Sequence, residues 1–194
     1  MTYNLDQMRD LLLGVQKPAR YVGGEIGQIM KDPALIIADK TNVRRSRVRN
    51  PEDVRVRVAF CFPDIYDIGM SHLGMRILYG ALNEQEKVWC ERAFQPWPDM
   101  EEAMQKEGIK LYTLESRTPL DEFDIVAFTL QYEMCYPTVL NMLKLGNLPL
   151  YAKDRKGLAP LVIAGGTGMY NAEPVAEFID IVSLGEGEDV TVEL

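Results

Sequence analysis

The chain has 194 residues, a hydrophobic fraction of 47% and a formal net charge of −8. That composition supports one ordinary domain with a buried core plus an extension and argues against disorder, while the negative charge disfavours tight general binding to nucleic acid. No apolar run reaches the length a membrane span needs, and MTYNLDQMRDLLLG contains acids where a signal peptide has a basic head and an apolar block. Cys61, Cys90 and Cys135 stand too far apart for metal-ligand spacing and are odd in number, so they read as buried free thiols of a reducing, cytoplasmic environment.

Residues 1–50 form an N-terminal extension. Leu5, Met8, Leu11, Leu12 and Val15 recur at helical spacing, and Gly14 and then Pro18 end that helix. KPARYVGGEIG follows as an extended or turning arm. Arg44, Arg45, Arg47 and Arg49 make a local basic stretch that reads first as a solvated loop and second as an RNA or phosphate contact.

From residue 51 to 194 the pattern is regular. VRVRVAFCF begins as an alternating strand and turns wholly apolar, as a strand does inside a sheet covered on both faces. Met70 to Leu82 is expected to be a helix burying Leu73, Ile77, Leu78 and Leu82 on one stripe. KVWC is a short second strand, Pro98 to Glu107 a helix, and IKLYTL a third strand. FDIVAFTL is continuously apolar and therefore central, and Pro137 to Leu145 is a helix closed by Gly146. PLVIAGG and FIDIVSLGEGE supply two more strands joined by a short helix near Glu173 to Phe178.

Steady alternation of strand and helix implies a doubly wound, mainly parallel α/β sheet, and the flavodoxin-like order is the expected one. Ligands in such folds sit beyond the carboxyl ends of the strands, which selects the loops 64–69, 129–135, 165–171 and 185–189. GEGEDVTVEL reads as the opening of a helix without its end, so the chain is expected to be the N-terminal piece of a longer protein.

Each loop has a plain reading and a functional one. Gly185-Glu-Gly187 lacks the full dinucleotide pattern because Val190 takes the last glycine's place, and Glu186, Glu188 and Asp189 would repel a pyrophosphate. A boundary turn, or carboxylates facing a hydroxyl or amine, fits better. Gly165 and Gly166 close a buried strand, where they serve either a tight turn or the approach of a ligand to the backbone. Asp64 and Asp67 suggest a phosphoacceptor receiver, but the central strand ends Thr129-Leu130-Gln131 without the acid such a site wants. His72 is the single histidine of the chain, at the start of a helix, and reads as a cap or surface contact with no catalytic partner in view.

In this order the loops resemble the cobalamin-binding fold, whose signature is D-x-H-x-x-G after the first strand and a glycine pair after the fourth. Asp64, Tyr66 and Gly69 occupy the first pattern, with tyrosine in the histidine's place, and Gly165 and Gly166 occupy the second. AGGTGMYNAEPVAEFIDIVSLGEGED is similar to a segment of radical-SAM proteins that carry this domain ahead of an iron–sulfur barrel. Together with RYVGGEIG and DIYDIGMSHLGMRILYG, it makes the chain resemble the cobalamin-domain-containing radical-SAM family of unassigned function, from about Pro18 to Val190.

The resemblance implies an accessory cobalamin-binding-like domain of a cytoplasmic radical-SAM enzyme, with Asp64, Tyr66, Gly69, Thr129, Gly165 and Gly166 as the cofactor-binding set. A phenol with a reference pKa of about 10 is a poor neutral cobalt ligand, so any cobalamin is expected to be held without an imidazole, Tyr66 covering its lower face. The implied four-iron cluster and S-adenosylmethionine belong to a following barrel, since C-x-x-x-C-x-x-C is absent from these residues and they alone are expected to be inactive. The barrel is the implied partner, the substrate is open and includes macromolecules, and the alternative function is a degenerate docking or substrate-positioning module without cobalamin.

Overall fold

The computed structural model describes residues 54–157 and 160–193. The N-terminal helix and arm, the Arg44–Arg49 stretch and the boundary at residues 50 and 51 lie outside the described residues. Five parallel strands form one sheet in the order β2-β1-β3-β4-β5: β1 (Val56–Ile65), β2 (Val88–Gln95), β3 (Ile125–Thr129), β4 (Leu161–Gly165) and β5 (Ile181–Val182). This is the doubly wound flavodoxin-like order, and FDIVAFTL supplies the middle strand as its apolar character requires. The helices are a single turn, α1 (Tyr66–Gly69), then α2 (Leu73–Glu84), α3 (Pro98–Glu107), α4 (Tyr136–Leu145) and α5 (Gly187–Glu193). The segment expected as a helix at Glu173–Phe178 is 3-10 helix.

Three sequence expectations change. KVWC is the start of an eight-residue strand whose charged continuation, Glu91-Arg92, stays inside the protein. IKLYTL is not a strand. Among the described residues it makes one isolated bridge, between Tyr112 and Pro119, and then turns back at Arg117, which has a φ of 60°. It buries Leu111, Tyr112, Thr113 and Leu114 in succession, but its backbone bonds are scattered over a helix end, its own turn and, through the Leu114 N–H, the Arg92 carbonyl of β2. The Leu111 N–H donates to the Leu145 carbonyl at 2.8 Å and the Thr113 N–H to that of Thr118 at 3.0 Å.

The third change concerns α2. Met75, Tyr79 and Leu82 are its buried residues, whereas Leu73 and Ile77 are 67% and 43% exposed. The helix starts at Leu73, so its face toward the sheet is rotated from the expected stripe. Residues four apart share a helical face, and Met75 and Tyr79 together with Leu78 and Leu82 form that face.

The segment 113–118 wraps β2, an edge strand that would otherwise present unpaired backbone groups. On one face Glu91 accepts from Arg57 Nη2 at 3.0 Å, from the Ser116 N–H at 3.1 Å, from the Ser116 hydroxyl at 2.6 Å and from the Thr113 hydroxyl. On the other, Glu115 accepts from the Arg92 N–H and from Arg92 Nε, both at 2.7 Å. The Arg92 guanidinium lies 4.4 Å from the centre of the Tyr79 ring. Burial raises the Glu115 carboxyl above its ordinary range against the pull of Arg92. Glu115→Ala would strand a buried guanidinium and is expected to lower stability by about 3–5 kcal/mol, read as a fall in the urea midpoint. A loss well under 1 kcal/mol would contradict this role for the pair.

Candidate functional site

One face of the sheet is not fully covered. Residues two apart along a strand share a face, and on this face lie Val58 and Phe60 of β1, Ile125, Ala127 and Thr129 of β3, and Ile163 and Gly165 of β4. They floor a cavity of about 240 Å³. Its roof comes from Gly74, Leu78 and Leu82 of α2 and from Gly187, Glu188 and Thr191 of α5. Gly187 lets α5 sit directly on α2, since a Cβ there would stand 3.2 Å from a Leu78 methyl. The walls are thus largely apolar, and the polar groups collect at the carboxyl end of the sheet: Thr129, Gln131, Thr167, Ser183 and His72.

The two glycines expected to admit a ligand serve different ends. Gly165 is open, because a Cβ there would meet Ser183 at an ordinary 3.5 Å. Gly166 has a φ of 97°, and a Cβ on it would lie 2.4 Å from the Leu130 carbonyl oxygen. That close approach lets the Leu130 N–H reach the Gly165 carbonyl at 2.8 Å and the Gly168 N–H reach the Leu130 carbonyl at 3.0 Å. Gly166 therefore knits the β3 and β4 loops together. The Thr167 hydroxyl donates to the Gln131 carbonyl at 2.9 Å and Gln131 Nε2 to the Thr129 hydroxyl at 3.0 Å, which fixes the rim further.

Thr129, Gly165 and Gly166 come together at the cavity; Asp64, Tyr66 and Gly69 are not among its lining residues. Tyr66 lies edge-on to Phe94 of β2, with centroids 5.5 Å apart. Gly69 is packed so closely on the same ring that a Cβ would fall 2.2 Å from it. Asp64 accepts from the Ile65 N–H at 2.7 Å, and its carboxylate, with partial burial, holds the Tyr132 phenol above its usual range. Tyr66 and Gly69 thus face the β2 side of the loops, while Asp64 stands beside Tyr132 in the loop after β3.

The residue that sequence reasoning undervalued is His72. Its ring lines the cavity, 5.1 Å from the Phe62 ring, and caps α2 by accepting the Met75 N–H on Nδ1 at 3.1 Å. An imidazole nitrogen that accepts a hydrogen bond carries no proton, so the ring proton sits on Nε2. Capping was legible from a histidine just ahead of a helix; its place in the cavity depended on the rotation of α2, which the apolar pattern misassigned. Among the described residues no three His, Cys, Asp or Glu side chains converge to hold a metal ion. Cys61, Cys90 and Cys135 are buried, and burial raises all three thiols.

Because the two glycines differ, Gly166→Ala is expected to cost more stability than Gly165→Ala, by about 1–3 kcal/mol for the strained backbone alone. Paired urea titrations check this, and equal losses would contradict it. A search of curated proteins finds no match. Residues 74–194 match the family described as radical SAM proteins, N-terminal, a span that takes in α2, the whole cavity roof and every strand after β1. The chain belongs to that family of radical SAM N-terminal domains.

Proposed function

We propose that the domain is the accessory part of a radical-SAM iron–sulfur enzyme and holds a cobalamin by one arm of the cofactor. The observation that carries this reading is the apolar cavity against the sheet face, with Gly165 open at its mouth. At about 240 Å³ it is smaller than the roughly 300–1,000 Å³ that enclose a whole drug-sized ligand, so it suits one planar group with its sugar rather than an entire corrinoid. Val58, Phe60, Ile125 and Ile163 would pack on the flat group, and Thr129, Thr167 and Ser183 would meet hydroxyls and amides at the rim. Cobalamin, when bound, would supply a cobalt centre suited to alkyl-group transfer.

The residues present do not offer a cobalt ligand. Tyr66 rests on Phe94, and His72 carries its proton on the nitrogen that would have to coordinate. The cluster and S-adenosylmethionine belong in this reading to a barrel of the same polypeptide. Loops at the carboxyl ends of the strands offer that barrel, or a macromolecular substrate, exposed Ile68, Tyr132, Met134, Tyr170 and Leu184. The same five exposed residues favour the second reading, a docking or substrate-positioning module without cobalamin.

Titrating the 194-residue chain with hydroxocobalamin and following the visible spectrum separates the two. Binding is expected, the reduced cob(II)alamin should show no nitrogen splitting in its paramagnetic spectrum, and Gly165→Val should abolish binding with little change in the urea midpoint. Absence of binding by the wild-type chain would leave the docking module as the function.

A further inference from the structure

His72 holds the one ring donor at the cavity whose direction is fixed. The Met75 N–H on Nδ1 fixes both the rotamer and the tautomer of the imidazole, so Nε2–H is a donor on the opposite edge of the ring. Among the described residues nothing accepts from that nitrogen. Gly74 gives the ring its room, because a Cβ there would lie 3.1 Å from His72 Cε1. Phe62 packs against the ring from the strand side. His72 lines a cavity whose floor is apolar, and a fixed donor at that wall would select for an acceptor on a ligand that is otherwise flat and apolar.

We propose that His72 is the specificity-determining residue of the cavity, and that its Nε2–H reads an unprotonated ring nitrogen or carbonyl on a planar heteroaromatic base carrying a sugar. The proposal rests on the cavity being the ligand site, as in the cobalamin reading, but does not require that the rest of the ligand be a corrinoid. Thr129, Ser183 and Thr167 at the rim are the hydroxyls that a sugar attached to the base would meet. Glu188, on the roof, is the carboxylate that would accept from a sugar hydroxyl and disfavour a base with a phosphate at that end.

Two substitutions separate the donor from the cap. His72→Ser keeps a short side chain that caps well and removes the donor's reach, whereas His72→Gln keeps an amide N–H at about the position of Nε2 and loses the good cap. The probes are hydroxocobalamin, adenosine and the riboside of 5,6-dimethylbenzimidazole, each titrated into the full 194-residue chain. His72 is the only histidine, so nitrogen-15 labelling of histidine gives one unambiguous ring signal. That signal is expected to report the Nε2-protonated tautomer and to shift at Nε2 when a probe binds.

His72→Ser is expected to keep the urea midpoint and to bind about tenfold or more weakly, the usual consequence of an unpaired buried acceptor. His72→Gln should lose stability yet bind within a few-fold of wild type. A ring proton found on Nδ1, or a serine variant that binds as tightly as wild type, overturns the proposal. If hydroxocobalamin fails but a nucleoside binds through His72, the corrinoid reading falls and this one stands. If hydroxocobalamin binds equally to wild type and the serine variant, the reverse holds. If no probe binds, both fall.

Discussion

Glu91 and Arg92 are consecutive residues of a strand, so their side chains leave the sheet on opposite faces, and both are buried. Burying either charge without a partner would cost several kcal/mol, and no neighbour within β1 or β2 can serve both faces at once. The chain meets this constraint with a single loop that crosses the sheet edge. Thr113, Ser116 and Arg57 close on Glu91 from one side, while Glu115 reaches Arg92 on the other. The backbone of that loop adds a bond from the Leu114 N–H to the Arg92 carbonyl at 2.8 Å. Edge protection, charge satisfaction and the tight turn at Arg117 are therefore one arrangement.

That arrangement makes the sheet asymmetric. Its β2 side is sealed by paired charges and by aromatic packing, with Tyr66 and Gly69 against Phe94. Its β3–β5 side is short, β5 contributing two residues, and the helices above it come close where Gly187 faces Leu78. Space for a ligand exists where the layers are least complete. Two loops that look equivalent in the sequence, after β1 and after β4, therefore sit in different surroundings. After β1, Tyr66 and Gly69 pack on Phe94; after β4, Gly165 and Gly166 border the cavity.

Much of this was legible beforehand. Continuous apolar runs such as IVAF fix buried parallel strands, and Pro98 at the start of α3 and Gly108 beyond its end mark that helix plainly. The loops after β3 and β4 could be read at the carboxyl ends of their strands, where Thr129 stands opposite Gly165. What could not be read was anything that depends on a distant partner. The charges in β2 look like a strand's exit until a loop more than twenty residues away answers them. IKLYTL is apolar enough for a strand, yet its backbone partners are scattered over the Leu145 carbonyl, its own turn and the Arg92 carbonyl. On α2 several apolar residues compete for the buried face, and the capping geometry at His72, not hydrophobicity, decides where the helix begins.

The contact between Gly187 and Leu78 has a consequence for how such a domain changes its ligand over time. The floor of the cavity is set by strand register, which cannot shift by one residue without exposing every core side chain. The roof is set by how near one short helix stands to another, and a single methyl at residue 187 would already press on Leu78. The two halves of the cavity are therefore unequally free to vary. Lineages with different residues at these two positions would keep one scaffold and differ in ceiling height, so ligand size could drift while the sheet and its buried charges stay as they are.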